Sequence, residues 1–155
     1  MDHAHHAHKA PSLNSTAWSA TLHCLTGCAI GEVLGMVIGT ALGWGNGATI
    51  ALAVVLAFLF GYALTLLPLL KAMTIGSALK LALAADTASI TVMEIIDNAI
   101  MLVIPGAMNA GLSSVLFWGS LGFSLAVAAV AAFPVNRWLI ARGKGHAVVH
   151  AHHTS

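Results

Sequence analysis

Four long apolar runs dominate the chain, at about residues 18–43, 48–70, 84–105 and 113–138. Each is long enough to cross hydrocarbon about 30 Å thick, which takes roughly 20 apolar residues in a helix. Turn-forming segments separate them. GWGNG at 43–47 closes the first hairpin, Pro68 and residues 71–80 form the middle connection, and Pro105 with Gly106 stops the third run before NAGLSS leads into the fourth. The pattern predicts an all-α, up-and-down, four-helix integral membrane bundle at 18–142, flanked by His-rich tails at 1–17 and 143–155.

Composition agrees with that reading. Of 155 residues, 59% are hydrophobic and only 7% charged, too few charges to cover a soluble domain, so the lipid bilayer is the expected surrounding. The start, MDHAHHAHKAP, lacks the cationic segment followed at once by a short apolar core that marks a cleaved signal, and the first span is expected to stay. Net charge is +1 with scattered basic residues, which excludes a nucleic-acid partner.

Charge placement predicts orientation. Lys9, Lys71, Lys80, Arg137, Arg142 and Lys144 fall in the first tail, the middle connection and the C-terminal end. Under the positive-inside rule both tails and the middle connection face the cytoplasm, with GWGNG and the 106–112 loop outside. Trp18 and Trp138 then lie at the inner interface, Trp44 and Trp118 at the outer one, as an aromatic belt requires.

The first run carries Gly27, Gly31, Gly35, Gly39 and Gly43, a glycine at every fourth residue. That spacing strips side chains from one face of a helix and lets another helix approach closely, within the bundle, in a homo-oligomer or in another membrane protein.

Candidate chemistry lies inside the runs. Glu32, Asp86, Glu94 and Asp97 lie within or at the edge of predicted spans, with no Lys or Arg at depth beside them. Carboxylates there are costly and commonly functional, so they are protonated, hydrogen-bonded or paired with a bound cation. At about 100° per residue, Cys24, Cys28, Gly31, Glu32, Gly35 and Gly39 share one arc of the first helix. Asp86, Met93, Glu94, Asp97 and Met101 share one arc of the third. Counting back from Gly43 and Pro105 puts Glu32 level with Glu94, and Cys24 level with Asp86. If the two faces oppose each other, acids meet at mid-membrane and a thiol meets an acid nearer the cytoplasm.

Thiolates and thioethers suit copper(I), imidazole suits copper, zinc or nickel, and carboxylates take harder ions or protons. His23, Cys24, Cys28, Glu32, Met93, Glu94, Asp97 and Met101 therefore form a candidate transition-metal set, in which His23 is weakest because it lies about 100° from Cys24 on the helix. The cysteines are expected as thiols. The tail histidines, His3, His5, His6, His8, His146, His150, His152 and His153, have a generic metal-binding composition and could load the ion. Simpler readings stand beside these. The cysteines and Met93, Met101 and Met108 can be packing residues, the acids can bond to neighbours such as Asn98, Asp86 can cap a helix, and the first histidines can belong to a purification tag.

No phosphate-binding loop, nucleophile elbow or metalloprotease helix is present, so neither an enzyme nor a nucleotide cofactor is expected. A bis-histidine haem is excluded because His23 is the only histidine within a span. At HCLTGCAIGE (23–32), ADTASITVMEIIDN (85–98) and FPVNRWLIARGKGHAVVH (133–150), the chain resembles the bacterial membrane-protein family catalogued as domain of unknown function 4396. The resemblance covers nearly everything after the first tail and implies a small bacterial integral membrane protein, with no activity to carry over; the spans and charge placement add the expectation of a multi-pass protein of the inner (cytoplasmic) membrane. The leading expectation is a transition-metal-binding membrane protein serving transport, tolerance or sensing. The alternatives are an accessory subunit docking through the glycine stripe and a proton-coupled carrier of a small solute.

Overall fold

The computed structural model describes residues 12–71 and 73–142, and the histidines of both tails lie outside them. Among the described residues the chain is all-α, with four long helices and one short 3-10 turn. Helix α1 spans Leu13–Ala41, α2 Asn46–Leu69, α3 Ile75–Val103 and α4 Val115–Ala141. The first begins inside the segment assigned to the tail, where Ser12 caps it by accepting from the Ser15 amide at 3.2 Å.

The stops follow from local chemistry. Gly43, at φ 68°, is left-handed just past α1. The Trp44 amide donates to the Gly39 carbonyl and the Gly43 amide to that of Thr40, the paired bonds that close a helix at a left-handed glycine. Gly43 therefore terminates the helix and leaves the packing stripe to the other four glycines. Helix α3 ends where Ile104 turns extended ahead of Pro105, since a residue before proline is pushed out of the helical region. Its beginning departs from expectation. Residues 75–80 are helical, so Lys80 stands exposed on α3 instead of in a loop. A charged side chain in the first turns of a helix tolerates this position because water reaches it there.

Helix α1 packs chiefly on α2, α3 on α4, and α1 against α4 closes the ring. Arg137 near the end of α4 donates to the Asn14 side chain at 2.7 Å, and Trp18 meets Phe133 edge-on at 5.0 Å. Both ends of the chain's helical part therefore sit at one end of the bundle. At the other, Asn46 donates to Asn109, joining the two remaining connections. Trp18 and Trp138 mark the first end, Trp44 and Trp118 the second, all about half exposed.

The bundle is apolar outside and small or polar within. Val55, Leu59 and Leu67 of α2 and Phe123 and Val130 of α4 point outward, and Val115 is 86% exposed. The interior holds alanines, glycines, Thr21, Ser89, Ser124 and Asn136 together with the acids. Water would penalise such an arrangement, whereas hydrocarbon favours it. Helices α1, α2 and α4 are long and apolar enough to cross a membrane. Helix α3, with 29 residues, matches α1 in length but carries Lys80, Asp86, Glu94 and Asp97. Its acids face inward while Ile95, Leu102 and Val103 face out.

Candidate functional site

One helix positions both the packing and the chemistry. On α1 the four-residue spacing places Gly27, Gly31, Gly35 and Gly39 against α2, where a methyl group on Gly27 would come within 2.6 Å of the Gly61 Cα. At Gly31 and Gly35 a methyl would strike the backbone of Ala57 and Ala53, and at Gly39 the side chain of Thr49. The stripe is thus filled from within the chain. Within this chain the helix that lies against these four glycines is α2.

One residue further along each turn lies a second stripe. Cys28 follows Gly27 and Glu32 follows Gly31, a rotation of about 100°, and this turns the stripe from α2 toward α3. Cys24 donates to Asp86 Oδ1 at 3.6 Å, which is the thiol–acid level expected from counting back along the two helices. Cys28 faces Glu94. Glu32 lies between Glu94 and Asp97, three residues apart on α3, and interacts with both, Asp97 foremost. Asp86 lies well inside α3 and is fully buried, so it does not act as a helix cap.

Helix α4 completes the column, and its contribution went unread in the sequence. Asn136 donates to Thr21 and to Ser89, each at 2.9 Å, while Ser124 donates to Asp97 Oδ1. Ala128 and Ala132 occupy the two turns between them, packed against the cysteines' cluster. Ser124, Ala128, Ala132 and Asn136 recur every fourth residue, a small-residue stripe that could have been found by the same count that found the glycines. Asn98 bonds Glu94 as expected, donating to its carbonyl at 2.9 Å and to Oε2 at 3.4 Å.

The expected metal set divides. Cys24, Cys28 and Met93 share one buried cluster, and both cysteines are free thiols. Met101 belongs to another cluster, near the 106–112 loop, with Met36, Phe117 and Leu121. His23 is half-buried and turned toward α2, 3.1 Å from Thr65 Oγ1. Among the described residues no three His, Cys, Asp or Glu side chains are gathered to hold a metal ion. His23 stands apart toward Thr65, whereas Glu94 lies beside Cys28, and Glu32 interacts with Glu94 and Asp97. What the arrangement does supply is a sulfur group of two thiols and a thioether, with an acid beside each thiol.

Helices apolar outside and an axis lined with thiols and acids define a multi-pass membrane protein. Residues 14–145 match the domain of unknown function DUF4396, and the chain belongs to that family. Searches of curated proteins and of solved structures return no match.

Proposed function

We propose that this chain is an integral protein of the bacterial cytoplasmic membrane that binds copper(I) within the bundle and serves its transport, tolerance or sensing. The observation that carries the reading is the burial of Cys24, Cys28 and Met93 in one cluster, each thiol against an acid. Two thiolates and a thioether are ligands of a soft monovalent ion, and low coordination numbers suit it. Binding exchanges thiol protons for the metal. The oxygens of Asp86 and Glu94 are the first acceptors such protons meet.

Orientation follows from charge. Lys71, Lys80, Arg137 and Arg142, all the Lys and Arg among the described residues, belong to the end of the bundle that holds both termini. The positive-inside rule assigns that end to the cytoplasm and makes α3 the fourth span, its acids shielded by the other three helices. The tail histidines then share one compartment and offer a first point of capture.

The test is the metal content of the full chain, purified in detergent without an affinity tag and loaded with copper(I), zinc(II) or nickel(II). Replacing all eight tail histidines by alanine leaves stoichiometric copper, and Cys24→Ser with Cys28→Ser removes it. Copper that vanishes with the tail histidines and is indifferent to the cysteines contradicts the reading. Retention of zinc or nickel in place of copper changes the ion.

A further inference from the structure

We propose that Glu32 and Asp97 form a proton-binding pair, distinct from the thiol cluster and placed toward the loop end of the column. Glu32 is 1% exposed, as is Asp97. Among the described residues neither Glu32 oxygen has a hydrogen-bond partner, nor does Asp97 Oδ2 or Glu94 Oε1. Burying such atoms unsatisfied is costly, and more so when they carry charge.

Donors from the surrounding elements do not remove that cost. From α3 Glu32 meets Asp97 and Glu94, both acids. Its own helix offers Cys28, one turn away, which faces Glu94. Helix α4 offers Ser124, whose hydroxyl is already directed at Asp97 Oδ1 and the Leu121 carbonyl. Helix α2 has no Asp, Glu, Lys, Arg, His or Cys, and presents Ala53 and Ala57 along this seam. Ser124 and Asn98 each satisfy one acid oxygen, on Asp97 and Glu94, while both Glu32 oxygens, Asp97 Oδ2 and Glu94 Oε1 are left as acceptors that a cation would satisfy.

The proton is favoured over a metal ion, because among the described residues no three His, Cys, Asp or Glu side chains are gathered so as to hold one. A proton needs only two oxygens. Carried by Glu32, it turns one acceptor into a donor aimed at Asp97, whose other oxygen Ser124 already satisfies. The pair is closed toward the 106–112 loop by Met36, Met101, Phe117 and Leu121. Toward the termini the axis stays polar through Glu94 with Cys28, Asp86 with Cys24, and Asn136.

Infrared spectroscopy of the full chain in liposomes, at a series of pH values and in heavy water, tests this directly. The carbonyl stretch of a protonated buried carboxyl is expected, shifting on deuteration. Glu32→Gln, which preserves shape, removes that band. Asp97→Asn keeps it and changes its pH profile, which simple packing by Asp97 would not do. A band unaltered by both substitutions, or no such band at any pH, overturns the pair. A band that sodium ions abolish at constant pH overturns the proton in favour of a metal cation. Neither result depends on copper, so the pair and the thiol site can fail separately.

Discussion

Helix α1 carries two seams one residue apart, and they are built on opposite principles. Along the seam with α2 it has no side chains, and backbone meets backbone at Gly27, Gly31 and Gly35. Along the seam with α3 it has Cys24, Cys28 and Glu32, each against an acid. The first has one solution, because a helix can approach so closely only at one rotation. That rotation aims the neighbouring residues at α3. Packing on one side thus sets the chemistry on the other, which is why a change to the glycine seam is expected to disturb both while a change to the acid seam leaves the first intact.

The largest effect should come from the glycine seam. Gly31→Leu drives a side chain into the Ala57 backbone and is expected to cost about 3 kcal/mol or more, read as loss of a monodisperse bundle or a lowered unfolding midpoint in detergent. A normal midpoint would show that the two helices can separate without loss, and would break the comparison. Asn136→Ala is next. It leaves Thr21 and Ser89 without their shared donor, at about 1–3 kcal/mol for unsatisfied buried groups, by the same unfolding assay.

Cys24→Ser with Cys28→Ser sharpens the contrast. It should abolish copper retention while shifting the unfolding midpoint by less than Asn136→Ala does, because serine keeps the size of the thiol. Smallest of all is Gly122→Ala, where nothing lies within 4 Å of the added methyl. Alanine in place of a helical glycine is expected to raise stability by roughly 0.5–1 kcal/mol in the same assay. Equal effects at Gly31 and Gly122 would mean that glycine content, and not the seam, holds α1 to α2.

The two seams were also unequally legible in the sequence. Four-residue glycine spacing announces close approach but not the identity of the approaching helix, and the answer, α2, rests on small residues such as Gly61, Ala57 and Ala53 that look like any other part of an apolar run. Cys24 with Asp86 was readable from depth alone, because both helices run the same way from comparable ends. The division of Glu32 between Glu94 and Asp97 was not, since a count along the axis says nothing about which of two acids on one face lies nearer. Ser124 and Asn136 were lost in the apolarity of α4, where single polar residues leave a hydropathy pattern unchanged. His23 and Met101 were grouped with the thiols by residue type. The fold separates them by rotation in one case, toward Thr65, and by depth in the other, beside Met36.

X-ray absorption at the copper edge, on the full chain with its tail histidines replaced by alanine and loaded with copper(I), puts the soft-metal reading to its most direct trial. The account predicts a first shell of sulfur alone, two thiolates joined by the Met93 thioether, and loss of the thioether on Met93→Leu. A shell of nitrogen and oxygen, or a sulfur shell that survives Cys24→Ser with Cys28→Ser, would contradict it.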